Sequence, residues 1–131
     1  MRDVLATGYP SLDIIAHVSH LPTVGQTAIL RALPEGYEFG GCGANVAVAL
    51  ATLGFSTGLA MVLGDDAPAG DYLDYLEARG INTDNVICLD GERTSRSYLY
   101  FAPDHQHQDF FFAGAADAWE GALRLADAAM G

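Results

Sequence analysis

Three glycines in four positions, Gly40, Gly41 and Gly43, run straight into an apolar helix-like stretch with a lone asparagine, Asn45, in its first turn. Glycine permits positive φ and close approach to the backbone, and a helix N-terminus offers free N–H groups and the positive end of the helix dipole. Hydroxyl groups or an anion fit such a place, and the Asn45 amide adds both a donor and an acceptor. The same residues also suit a tight turn in which Asn45 caps its own helix. Asp13 is the second candidate, because it interrupts the apolar run Leu12-Asp13-Ile14-Ile15 shortly after Gly8. A carboxylate just past the carboxyl end of a core strand stands where α/β sheets bind ligands, and it can accept hydrogen bonds from two neighbouring hydroxyls of a polyol. An edge-strand aspartate facing water is the plainer alternative.

Other chemistries fit less well. The glycine stretch follows no clear buried strand and lacks the distal acidic residue of a dinucleotide fingerprint, and a P-loop would need a lysine. His105-Gln106-His107, with Asp104 and Asp109, has the residue types of a metal site but reads as a solvated turn. Phe110, Phe111 and Phe112 read as core, or as the face where strands meet, rather than as a stacking platform for a base. Arg96 and Tyr98 alternate with Tyr100 along one strand face and read as facing solvent.

The elements that must position these residues follow from periodicity. Residues 3–8 and 11–18 read as strands, and 27–33 as a half-exposed strand. A helix follows over 43–53, then an apolar strand over 56–64 of the kind buried on both faces of a parallel sheet. Residues 68–80 place Tyr72, Leu73 and Leu76 at helical spacing before Gly80. Asn85 to Leu89 is a strand, 94–101 and 108–114 form a hairpin, and a helix closes the chain from Trp119. The pattern is α/β with a β appendage, and its few core strands suggest a sheet cut short.

Composition narrows the partners. The 131 residues carry a net charge of −11, and all six basic residues are arginine. That charge argues against nucleic acid and anionic membranes as partners. The lysine-free composition fits a GC-rich genome better than a salt-adapted surface. Cys42 and Cys88 make neither a disulfide framework nor a zinc site. No signal peptide is visible and no apolar run approaches the roughly 20 residues of a membrane span, so a soluble cytoplasmic protein is expected.

One longer pattern joins the pieces. Gly40-Gly41-Cys42-Gly43-Ala44-Asn45-Val46-Ala47, six residues, Gly54, nine residues and Gly64 resembles the first signature of the ribokinase-like, PfkB carbohydrate kinase family. GYPSLDI, LPTVGQT, LGDDAPAGDYLDYLEARGINTDNV and the segment from Thr94 to Ala116 are similar to that family's N-terminal strand and turn, lid turn, Gly-Asp-Asp stretch and lid hairpin. The resemblance covers nearly the whole chain.

It implies a ribokinase-like three-layer α/β core with a β-sheet lid, incomplete in this chain. Residues 1–131 would be the N-terminal part of one domain, with lid-like segments at about 12–39 and 90–109. Its implied activity is transfer of the ATP γ-phosphate to a sugar hydroxyl, with ATP and Mg2+ serving the complete enzyme. Asp13, Gly41, Gly43 and Asn45 would bind the sugar, Ser11 less directly. Cys42 stands where many ribokinases have lysine, which leaves sugars other than ribose, or a nucleoside, open. The motifs that would supply the catalytic base and nucleotide pocket are absent, so the chain alone is expected to be inactive and to hold neither ATP nor metal. The resemblance also admits a homodimer through lid strands, and a non-catalytic sugar-binding remnant.

Overall fold

In the computed structural model, which describes residues 3–118, the chain forms seven strands and two α-helices. The strands are β1 (Val4–Thr7), β2 (Ser11–His17), β3 (Glu38–Gly40), β4 (Thr57–Leu63), β5 (Asn82–Cys88), β6 (Arg96–Phe101) and β7 (His107–Phe112). The helices are α1 (Cys42–Thr52) and α2 (Ala67–Ala78), and a short 3-10 helix spans Gly114–Ala118. The strands divide into two sheets. The core sheet is parallel, in the order β1-β4-β5, and the second sheet is mixed, in the order β3-β2-β6-β7.

The core sheet is built around β4, which is buried at every position. Leu59, Met61 and Leu63 point to one face, where α1 packs Ala44 and Ala47 and α2 packs Ala69, Tyr72 and Leu76. Val62 faces the other way, onto Ala115 of the 3-10 helix. The small residues of α1 let its backbone approach the sheet closely, whereas α2 fills space with Tyr72, which is wholly buried. Pro68 in the first turn of α2 and Gly80, at φ +74°, beyond its end set the limits of that helix.

The second sheet is tied to the core at two places. Phe39 of β3 packs edge-on against Tyr72 at 4.9 Å and lies 4.6 Å from Tyr75, while the Tyr72 hydroxyl donates to the Gly40 carbonyl. Burial pushes the Tyr72 phenol up, so it remains a donor. At the other place, Asp66 ahead of α2 accepts from the Thr94 amide at 3.1 Å, the Thr94 hydroxyl at 2.7 Å and the Arg96 guanidinium at 3.1 Å. Burial raises the Asp66 pKa, but the Thr94 and Arg96 interactions outweigh it and hold the carboxyl below its usual range.

Several expectations change here. Residues 27–33 form no strand; a single isolated bridge, Leu30 to Val18 just past the end of β2, joins them to the sheet. Their alternation has no second layer to bury it, and Ile29 and Leu33 are exposed. Phe110, Phe111 and Phe112 are not core: all three are exposed on β7, at the edge of its sheet. Arg96 does not face solvent freely but pairs with Asp66. β5 begins at Asn82, three residues ahead of the expected start at Asn85, and Glu38–Gly40 forms β3, a strand that the sequence pattern does not signal. The closing helix lies outside the described residues. Among the described residues no helix is long and apolar enough to cross a membrane.

Three variants test this packing and its ties. A Cβ on Gly43 would lie 2.7 Å from the Gly8 amide nitrogen and 2.7 Å from the Thr7 carbonyl carbon, so Gly43→Val is expected to destabilise by at least about 2–3 kcal/mol in urea unfolding. Gly70→Ala in α2 meets nothing within 4 Å and should instead stabilise by about 0.5–1 kcal/mol. Asp66→Ala should cost about 2–4 kcal/mol by stranding Thr94 and Arg96. Because the folded-state Asp66 pKa is lowered, that stabilisation is full above the ordinary carboxylate range and lost as pH falls through the lowered value.

Candidate functional site

β1 and β2 are separated by only Gly8, Tyr9 and Pro10, so the chain leaves the core sheet and enters the second sheet within one turn. That turn lies directly against the glycine stretch. A Cβ on Gly8 would meet the Gly43 amide at 2.8 Å, and one on Gly41 would collide with the Tyr9 carbonyl. The space left bare by Gly41 and Gly43 is thus filled by the chain's own backbone, residues 7–10. Gly41, at φ +99°, is the N-cap of α1, and no side chain caps that helix. Asn45 is exposed in the first turn, its backbone N–H donates to the Gly41 carbonyl at 3.0 Å, and its side chain does not cap the helix.

Asp13 comes to the same place from β2. It lies between β3 and β6, opposite Glu38 on one side and Ser97 on the other, not on a sheet edge. Its carboxylate folds over Gly40, where a Cβ would strike it. The Ser11 hydroxyl donates to Asp13 Oδ1 at 2.6 Å and lies 3.1 Å from Ser97 Oγ. Burial, followed by the charges of Asp109 and Glu38, pushes the Asp13 carboxyl up against the lowering effect of the Ser11 bond. Asp13 is half-buried, so the carboxylate is both fixed and reachable.

The structure therefore brings Ser11, Asp13, Gly41, Gly43 and Asn45 to one corner, where the uncapped N-terminus of α1 meets the start of β2. Such a corner offers hydrogen-bond acceptors on one side and backbone donors on the other, which suits vicinal hydroxyls. Gly40 and Ser97 also belong to it. Gly40 was legible from its need to admit a neighbouring group, whereas Ser97 carries no sequence signal and emerges only from the β2–β6 register.

The remaining candidates lie elsewhere. His107 stacks on Phe101 at 5.1 Å near the hairpin tip, and His105 has φ 68° in the turn. Among the described residues no three His, Cys, Asp or Glu side chains gather as a metal ion would require. No step through ATP or Mg2+ is assigned to the described residues. Tyr98 and Tyr100 line an apolar groove of about 690 Å³ with Val18, Pro22 and Leu30. It opens on the opposite sheet face from Asp13, as strand alternation requires.

Comparison with known proteins gives a consistent result. The family model described as pfkB family carbohydrate kinase matches residues 1–130. A nucleoside kinase of Methanothermobacter thermautotrophicus is 31% identical over 127 residues, covering 97% of this chain and 40% of the relative. A ribokinase of Bacillus subtilis is 33% identical over 105 residues, covering 78% of this chain and 34% of the relative. The crystal structure of the Methanocaldococcus jannaschii nucleoside kinase, an archaeal member of the ribokinase family, superposes with a TM-score of 0.80 at 26% identity, covering 92% of this chain and 40% of that one. The chain spans 40% or less of the length of these relatives, and its two-sheet α/β arrangement is ribokinase-like. With the signature glycines, the fold and the family match in agreement, the chain belongs to the pfkB family of carbohydrate kinases.

Proposed function

We propose that the protein transfers the γ-phosphoryl group of ATP to a hydroxyl of a small sugar, or of the sugar of a nucleoside, and that these 131 residues supply the sugar cradle and lid. The observation that carries this reading is the Asp13 carboxylate, held by Ser11 and Gly40 beside an uncapped helix N-terminus. Asp13 accepts from two neighbouring hydroxyls, the first N–H groups of α1 and the Asn45 amide meet a third oxygen, and Ser11 orients Asp13. Gly41 and Gly43 let the helix start lie this close. The segments about 12–39 and 90–109 act as the lid, and β7 continues it to Phe112.

Phosphoryl transfer is catalysed mainly by positioning and electrostatics. The part proposed here is positioning of the acceptor; ATP, Mg2+ and a catalytic base belong to the complete enzyme, and by themselves these residues are inactive. The apolar groove and the open edge of β7 support a homodimer through lid strands.

In the full-length protein, Asp13→Ala should lower kcat/KM for the sugar substrate by about 10- to 1,000-fold, the loss of one or two charge-assisted hydrogen bonds. The KM for ATP should hardly move, and Asn45→Ala should fall in the same direction but less far. Steady-state kinetics with the two substrates varied separately reads both, and unchanged sugar parameters in Asp13→Ala would overturn the cradle. Stability should move the other way. Because the folded-state Asp13 pKa is raised, its ionisation costs stability as pH rises through that value. Asp13→Asn should therefore unfold at a higher temperature than the wild type near neutral pH, with the gain vanishing below the ordinary carboxylate range.

A further inference from the structure

The glycine stretch has no side chains with which to hold itself in place. Gly40, Gly41 and Gly43 carry no Cβ, and glycine loses more conformational freedom on folding than any other residue. The stretch must therefore be held by groups outside it. On one side lies the backbone of residues 7–10, against Gly41 and Gly43. On the other side stands α2, from which the Tyr72 hydroxyl donates to the Gly40 carbonyl.

Packing alone does not account for that hydroxyl. Tyr72 is the largest of the fully buried side chains among the described residues, with its ring edge-on to Phe39 at 4.9 Å and to Tyr75 at 6.1 Å. A phenylalanine would make the same ring contacts with no polar group to take out of water. What the hydroxyl adds is its acceptor. Gly40 ends β3, stands opposite Ser11, and lies so close beneath the Asp13 carboxylate that a Cβ there would strike it. Ser11 in turn donates to Asp13 Oδ1 at 2.6 Å. The Gly40 carbonyl also shares one planar trans peptide with the Gly41 N–H, and the two point opposite ways. Holding the carbonyl to α2 therefore fixes the plane that leads into the N-cap of α1. Burial, then the neighbouring Tyr75 and Asp13, push the Tyr72 phenol up, so the donor persists across the working pH range.

We propose that Tyr72 is a positioning residue for the phosphoryl acceptor: its hydroxyl holds Gly40, and Gly40 holds the Ser11–Asp13 pair and the start of α1 at the spacing that the acceptor's hydroxyls need. Tyr72 itself is wholly buried and acts only through Gly40. The inference rests on the kinase reading above and adds to it a determinant on α2, outside the glycine signature.

The test uses the full-length protein with ATP and a panel of acceptors, adenosine, D-ribose, 2-deoxy-D-ribose and D-fructose, and follows the one used best. Tyr72→Phe should lower kcat/KM for that acceptor by about 10- to 100-fold, mainly through its KM, while the KM for ATP holds. Two variants separate positioning from stability. Leu76→Val, one turn further along α2, thins the same core and keeps the hydroxyl, and Tyr75→Phe removes a hydroxyl from the neighbouring ring. Both should leave the acceptor parameters within about twofold of wild type, whatever they do to the melting temperature. A double-mutant cycle reads the route: in the Asp13→Ala background, Tyr72→Phe should cost no more than about threefold further, because the group it positions is gone. Unchanged acceptor parameters in Tyr72→Phe, an equal loss in Leu76→Val, or a full additional loss on top of Asp13→Ala overturns the inference while leaving the kinase reading intact. No Asp13-dependent phosphorylation of any acceptor overturns both.

Discussion

The contact on which the rest depends is backbone against backbone, where the end of β1 meets the first turn of α1. Gly8 and Gly43 each lie so close to the other's main chain that a Cβ on either would sit within 3 Å of it. No side chain can substitute for that approach, because real Cβ atoms do not tolerate such distances. Once it is made, the turn through Tyr9 and Pro10 is fixed, β2 must leave the core beside the helix start, and Asp13 is delivered over Gly40. The glycines thus bring two pieces of this chain together, and the proposed cradle is what those pieces leave between them.

The two sheets are then held in relation by unlike means. On the β3 side the ties are aromatic, through Phe39, Tyr72 and the hydroxyl bond to Gly40. On the β6 side they are polar, through Asp66, Thr94 and Arg96, with the Gly64 amide donating to Thr94 at 3.1 Å. Both ties end on α2 or its N-cap, so one helix references the glycine loop and the β6–β7 hairpin to the same frame. Aromatic packing is little affected by pH or salt, whereas the Asp66 network weakens as its carboxylate is protonated. The β6–β7 hairpin is therefore the part whose attachment responds to conditions.

Much of this was legible in the sequence. The apolar run 56–64 has the composition of a doubly covered parallel strand, and the positions of Tyr72 and Leu76 declare the buried face of α2. Asp13 and the glycine signature stood out because each breaks the local pattern. What was not legible depends on tertiary partners. Residues 27–33 alternate like a strand but find no layer to bury their apolar side, and three consecutive phenylalanines suggest core although their strand lies on a sheet edge. Arg96 is read as a surface residue until Asp66, thirty positions earlier, is placed beside it. Ser97 has no local signal at all, since its role comes from register alone.

The most direct measurement of the central claim is the position of a bound acceptor in a crystal structure of the full-length protein soaked with adenosine. The ribosyl diol should lie within hydrogen-bond distance of both Asp13 carboxylate oxygens or of one of them and the Asn45 amide, with the ring seated at the N-terminus of α1. A nucleoside bound elsewhere, with Asp13 open to solvent and the start of α1 in contact only with water, would contradict it.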